Sequence, residues 1–227
     1  MNARVVVFDI GGVLIDWNPA YLYRKLLPDE ASVEQFLSEI CTPAWNEQFD
    51  AGMPFADGIA ALAKSHPERA DLIEAYWHRW HEMLGGEVPG TSRILERLKS
   101  AGVQMHAISN WSAETFPRAR ELFPFLDAFD ILVVSGRERL VKPDSAIFEL
   151  FLQRAGVAAG DCIFIDDNLA NIAAAASLGF KTEHFDTADA LERRLTAMGL
   201  LPENERTNGS EWTSMSLQSV EPSLRRR

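Results

Sequence analysis

The stretch Val5-Val6-Val7-Phe8-Asp9-Ile10-Gly11-Gly12-Val13 decides the fold. Four apolar residues, three of them β-branched, end on a carboxylate and two glycines, which predicts a parallel strand buried on both faces. Such a strand belongs to an open α/β sheet, whose ligand crevice lies outside the carboxyl ends of the strands. Asp9 is then a carboxylate at the mouth of that crevice, facing backbone amides, where an acid can act as a nucleophile. The competing reading is a turn or helix-cap aspartate.

Other segment ends repeat the arrangement. Val103 to Ile108 stops on Ser109-Asn110, and Cys162 to Ile165 stops on Asp166-Asp167-Asn168. Between them Val141-Lys142-Pro143-Asp144 leads into a helical pattern of Ile147, Phe148, Phe151 and Leu152, with Pro143 near the first turn and Lys142 just outside it. A carboxylate, a hydroxyl with an amide, an ammonium and an acidic pair can thus converge at one sheet edge. The chemistry that needs this set is phosphoryl transfer through an aspartyl intermediate. A carboxylate attacking a phosphate dianion meets like-charge repulsion, so it requires a divalent cation held by acids and fixed donors on the phosphoryl oxygens. Asp9 and Asp167 can share Mg²⁺, a hard ion that prefers oxygen ligands. Lys142 can neutralise the nucleophile and a phosphate oxygen, while Ser109 Oγ and the Asn110 amide donate to the others.

Through FDIGGVLID (Phe8 to Asp16), ISN (Ile108 to Asn110), VKPD (Val141 to Asp144) and FIDDNLANIAAA (Phe164 to Ala175), the chain resembles the haloacid dehalogenase superfamily over nearly all of residues 1–200. The resemblance implies an α/β fold, a Rossmann-like parallel sheet core with an inserted α-helical cap. It implies Asp9 as nucleophile, Mg²⁺ held by Asp9, the Gly11 carbonyl and Asp167, Gly12 beside the substrate, and Asp166 and Asn171 in support, Asn171 ordering the acidic loop. One departure matters. Phosphatases of the superfamily usually carry a second Asp two residues after the nucleophile, which protonates the leaving group and later activates water; here that residue is Gly11, which has no proton to give. Dehalogenases of the superfamily lack the second Asp too, but a metal-free dehalogenase has no use for Asp166-Asp167 beside its nucleophile, where they would repel an anionic substrate. The nearer resemblance is to the subgroup with an Asp-x-Gly first motif, similar to sugar-1-phosphate phosphatases and to the phosphatase domain joined to some epoxide hydrolases. An anomeric hydroxyl, more acidic than an ordinary alcohol, suits a site short of an acid. Asp16 is a candidate stand-in acid or base; beside Trp17-Asn18-Pro19 it also reads as a turn aspartate. Three readings follow: a Mg²⁺-dependent phosphomonoester hydrolase of a small phosphorylated metabolite, a metal-independent 2-haloacid dehalogenase, and a degenerate phospholigand-binding protein.

The domain reading places residues 1–16 and 87–201 in the core, 17–86 in the cap and 202–227 in a polar tail ending in Arg225-Arg226-Arg227. Helical faces in the cap are marked by Leu22, Leu26, Phe36, Leu37 and Ile40, and by Ile59, Leu62, Ala63, Leu72, Ile73, Tyr76, Trp77, Trp80 and Leu84. Between them, Pro43 to Gly52 has the mixed polar and aromatic character of a sugar-contacting loop centred on Trp45. Trp111, directly after Asn110, can wall the crevice; Trp77 and Trp80 read as packing. His78 and His81 lack the partners that would complete a zinc site, and the two glycines after Ile10 are not a dinucleotide fingerprint. A net charge of −11 argues against a nucleic-acid-binding face and for a small-molecule partner. No run is long enough for a membrane span. Cys41 and Cys162 read as reduced, buried thiols of a cytoplasmic protein. Oligomeric state is not readable.

Overall fold

The computed structural model describes residues 5–203; of the polar tail, only its first two residues fall within them. Strands β1 (Val5–Phe8), β4 (Gln104–Ser109), β5 (Ile131–Val134), β6 (Cys162–Asp166) and β7 (Lys181–His184) form a five-stranded sheet in the order β5-β4-β1-β6-β7. Every neighbouring pair is parallel. The first described strand is the central one; from it the sheet builds outward to β5, then crosses back to the other side of β1. The carboxyl ends of β1, β4 and β6 flank that switch point, where an open sheet leaves a crevice.

The β1 run is buried on both faces because its side chains alternate between two cores. Val5 and Val7 join Ile108, Cys162 and Phe164 on one face, against Ile147, Phe148 and Phe151 of α9 (Ser145–Ala155). Val6 and Phe8 join Met105, Ala107, Ile163 and Ile165 on the other. That second core runs without a break into a helical insertion and takes in Phe36, Phe49, Phe55, Ile73 and Tyr76.

The insertion is carried on a two-stranded antiparallel ribbon of β2 (Ile15–Trp17) and β3 (Leu84–Glu87). Its helices are α1 (Ala20–Tyr23), α2 (Glu30–Glu39), α3 (Pro43–Asp50), α4 (Phe55–Ser65) and α5 (Ala70–His78). Asp29 caps α2, its side chain accepting the Ser32 amide at 2.8 Å. Two readings of the sequence are corrected here. Leu84 lies in strand β3 rather than on a helix face, and Pro43 to Asp50 is a helix rather than a loop, started by Thr42, whose hydroxyl accepts the Trp45 amide, and by Pro43 in the first turn. The core is completed by α6 (Thr91–Ser100), α7 (Phe116–Leu122), α8 (Ser135–Glu138), α10 (Leu169–Ser177) and α11 (Ala188–Ala197). Cys41 and Cys162 are free and buried. No helix among the described residues is long and apolar enough to cross a membrane.

Candidate active site

Asp9 follows β1 directly; its amide donates to the Ile165 carbonyl at 2.8 Å, and its own carboxylate accepts the Ile10 amide at 2.7 Å. The Lys142 ammonium lies 2.9 Å from Asp9 Oδ1 and 2.7 Å from Asp166 Oδ2. Lys142 is held there by Asn110 at the end of β4. The Asn110 side chain donates to the Lys142 carbonyl at 2.9 Å and accepts the Lys142 amide at 2.8 Å. The Asn110 side chain is thus spent on the lysine loop, and of its two amides the backbone one is left for a ligand.

Asp166 closes β6 and is fully buried. Its oxygens take Lys142, both contacts from Asn171 Nδ2 at 3.0 and 3.1 Å, and the Asn168 amide at 2.8 Å. Asp166 is therefore occupied, while Asp167 turns outward beside it. Gly12, at φ +73°, lies so close to Asp167 that a Cβ there would collide with the carboxylate. Ser109 is completely buried, with a hydroxyl that has no hydrogen-bond partner, an unusual condition for a buried polar group.

The electrostatics favour a cation. Oxygens of Asp9, Asp166 and Asp167 lie within 4.8 Å of one another, and a single ammonium faces them. Burial raises the Asp9 carboxyl to about 7, against the pull of Lys142. Burial and the neighbouring Asp166 raise Asp167 as well. Burial pushes the Lys142 ammonium down, but Asp9 and Asp166 outweigh it and hold it above its ordinary value. Three carboxylates with one ammonium lack positive charge, and Asp9 and Asp167 with the Gly11 carbonyl offer the oxygen donors a hard divalent ion prefers.

Asp9, Gly11, Gly12, Asn110, Lys142, Asp167 and Asn171 line one side of a cavity of about 290 Å³, and Trp17, Asn46, Asp50, Phe55, Trp80 and Trp111 line much of the rest. Trp111 thus walls the crevice, fixed by its amide on Ser135 Oγ at 2.9 Å and its indole N–H on Thr115 Oγ1 at 3.0 Å. Trp80, read from sequence as packing, both packs edge-on against Trp111 and faces the cavity. Three expected residues do not line the cavity. Ser109 is completely buried and absent from its lining. Asp16 accepts the Tyr21 hydroxyl at 2.6 Å on the β2–β3 ribbon. Trp45 is buried edge-on between Phe49 and Tyr76, its indole N–H aimed at the Gly58 carbonyl.

Asn46 and Asp50, which the sequence reading placed in a sugar-contacting loop without a role of their own, line the cavity one helical turn apart, Asp50 at the end of α3. Their i,i+4 spacing puts them on one face, and Trp45 with Phe49 on the next; read as a helix, the segment would have shown it.

A sequence model of haloacid dehalogenase-like hydrolases matches residues 3–179. The sesquiterpene phosphatase astK of Aspergillus oryzae is 30% identical over 80% of this chain and 89% of its own. A phosphorylated carbohydrates phosphatase of Thermotoga maritima is 28% identical over 78% of this chain and 82% of its own. Among solved structures, a family enzyme of Bacteroides thetaiotaomicron in complex with magnesium and inorganic phosphate superposes with a TM-score of 0.61 at 20% identity, covering 81% of this chain and 94% of that one. The last is a likeness of fold.

Proposed function

The chain belongs to the haloacid dehalogenase-like hydrolases, and from that premise we propose that it is a Mg²⁺-dependent phosphomonoester hydrolase acting through an aspartyl-phosphate at Asp9. The observation that carries this reading is the acidic pair beside the nucleophile. Asp166 is spent on Lys142 and Asn171, whereas Asp167 faces the cavity with Asp9. A carboxylate left there without a cation would oppose any anionic substrate. Phosphatases named among the relatives support the same activity.

In this mechanism Asp9, the Gly11 carbonyl and Asp167 would hold Mg²⁺, which would supply the positive charge that a carboxylate needs to approach a phosphate dianion. Asp9 attacks phosphorus and becomes the acyl phosphate. Lys142 stays between Asp9 and Asp166, offering positive charge at the nucleophile. Ser109 Oγ, buried and without a partner, and the Asn110 backbone amide donate to phosphoryl oxygens. The helical insertion acts as a cap that excludes water and selects the alcohol. Trp17, Phe55, Trp80 and Trp111 give that alcohol apolar, flat walls, with Asn46 able to hydrogen-bond a hydroxyl. Lys142 is the only cation among the lining residues, so the substrate is a monophosphate of an uncharged group, a sugar phosphate or an isoprenoid monophosphate, rather than a bisphosphate.

The test is phosphate release from a panel of sugar 1-phosphates, sugar 6-phosphates and an isoprenoid monophosphate, with Mg²⁺ or EDTA. Turnover is expected with Mg²⁺, lost with EDTA, and reduced below detection in Asp9→Asn. Chelator-insensitive halide release from 2-chloropropionate, with no phosphate release, would replace this reading with a dehalogenase.

A further inference from the structure

The proposed hydrolysis leaves one proton without a donor. Cleaving the phosphate ester of an ordinary alcohol expels an alkoxide unless a proton reaches the leaving oxygen as the P–O bond breaks. Gly11 has none to give, and Asp16 is held by Tyr21 away from the cavity. In an in-line displacement the leaving oxygen departs on the side of phosphorus opposite the nucleophile. With Asp9 at the strand ends, that side is the wall built by the insertion. Three carboxylates line the cavity, Asp9, Asp167 and Asp50, and Asp50 alone belongs to the insertion. The hydroxyls of Thr115 and Ser112, which also line it, are far too weak as acids to supply a proton near neutral pH.

Resting on the phosphatase reading above, we propose that Asp50 is the acid that protonates the leaving-group oxygen and the base that then activates water. Its surroundings suit that role. Asn46 Nδ2 donates to Asp50 Oδ2 at 3.1 Å, and Asn46 Oδ1 accepts the hydroxyl of the buried Tyr76 at 2.8 Å. This chain of neutral groups orients the carboxyl from inside the insertion. No ion pair reaches Asp50 among the described residues. A half-buried carboxyl with neutral donors and no counter-ion keeps its proton to higher pH than an exposed one. Burial, with the Glu47 carboxylate, raises it to about 7, against the Ser112 amide and the Lys142 ammonium. The backbone of the same residue is anchored, its carbonyl accepting the Ser135 hydroxyl at 2.6 Å.

The two steps balance. In the first, an Asp9 oxygen bonds to phosphorus, the P–O(alcohol) bond breaks, and its electron pair takes the Asp50 proton, releasing neutral alcohol. In the second, a water oxygen bonds to phosphorus, the P–O(Asp9) bond breaks, and the water proton passes to the Asp50 carboxylate. Inorganic phosphate leaves, and both carboxyls return to their starting states.

The experiment compares an ester that needs the acid with one that does not, in wild type, Asp9→Asn, Asp50→Asn and Asp50→Glu, all with Mg²⁺. Glucose 6-phosphate expels a poor alkoxide, and p-nitrophenyl phosphate expels a stable phenolate. Wild type is expected to turn over both. Asp50→Asn is expected to lose on the order of 100-fold on glucose 6-phosphate. On p-nitrophenyl phosphate it should release a burst of about one equivalent of phenolate per site and then slow, because the adduct waits for its base. Asp50→Glu should recover part of the alkyl-ester rate, and Asp50→Ala, which also lacks the acid, gives the same comparison should the Asn variant not fold. Equal losses on the two esters without a burst, or an unchanged rate on glucose 6-phosphate, would overturn the role of Asp50 while leaving the phosphatase reading intact. No turnover of either ester by wild type would overturn both.

Discussion

Gly12 and Asp50 show how single residues set the chemistry of this site. At φ +73° and against Asp167, Gly12 has no room for a side chain and a backbone conformation that other residues rarely adopt. Gly12→Ala should displace the Asp167 carboxylate and strain the loop, weakening Mg²⁺ binding at least tenfold and lowering stability by about 1–3 kcal/mol. Calorimetric titration with Mg²⁺ and urea unfolding read the two effects separately; unchanged Mg²⁺ affinity would remove Asp167 from the ion's ligands. Asp50 predicts the opposite trade. Its carboxyl titrates near 7 in the folded protein and near 3.8 when unfolded, so between those values the folded state binds more protons than the unfolded one. Stability from this group therefore falls as pH rises through that window, and the deficit is complete above about 7. Asp50→Asn keeps an acceptor for Asn46 and removes the deficit. It should stabilise the protein by on the order of 2 kcal/mol at pH 8, allowing for partial solvent screening, and by almost nothing at pH 4. Thermal unfolding across pH checks it, and a destabilised variant at pH 8 would show that the carboxylate is ionised and well solvated in the fold.

Elements place these residues through a small number of ties between the insertion and the sheet. Ser135, the first residue of α8, donates its hydroxyl to the Asp50 carbonyl at the end of α3 and accepts the Trp111 amide after β4. Nearby, Glu114 accepts the Phe55 amide at the start of α4 at 3.3 Å. Ser135→Ala leaves a buried amide and a carbonyl without partners, which should cost about 1–3 kcal/mol. It should also reduce kcat/KM, because Asp50 and Trp111 lose their common anchor while Asp9 is untouched; urea unfolding and steady-state kinetics measure both. What was legible in the sequence follows from the same elements. Strands β1, β4 and β6 announce themselves as short apolar runs with polar ends, because they are buried on both faces, so Asp9, Ser109, Asn110, Lys142 and the acidic pair could be assembled at one edge. Strand β7, Lys-Thr-Glu-His, lies at the sheet edge and carries no apolar run to betray it. The β2–β3 ribbon joins segments far apart in sequence, a pairing that periodicity cannot show. It also carries Asp16 off with Tyr21, although Asp16 lies only seven residues after the nucleophile. Helix α3 has a legible start in Thr42-Pro43, but the asparagine, aspartate and glycine that follow resemble a loop. Without the helical period, Trp45 stands out as the ligand contact, and the face that Asn46 shares with Asp50 does not show.

At the scale of the whole molecule, a net charge of −11 surrounds a site proposed to receive an anion. The cavity itself repeats the conflict, with three lining carboxylates and Lys142 as its one cation. Lys142, at 4% exposure, is too enclosed between Asp9 and Asp166 to project a field far into solvent. The proposed divalent ion at Asp9 and Asp167 would reverse the potential at contact range only, within a few ångströms of the nucleophile. Beyond that range the approaching phosphate meets the negative surface, and the repulsion acts on encounter rather than on chemistry. Salt separates the two distances. The screening length shortens from about 30 Å at 0.01 M to about 10 Å at 0.1 M, which weakens the long-range repulsion and barely touches the dehydrated contacts inside the cavity. For a phosphate monoester at saturating Mg²⁺, kcat/KM should therefore rise about two- to fivefold between 10 and 150 mM NaCl, with kcat unchanged. A fall in kcat/KM over that range, measured with the same ester, would mean that the mouth of the cavity presents a positive field to solvent despite the charge of the chain.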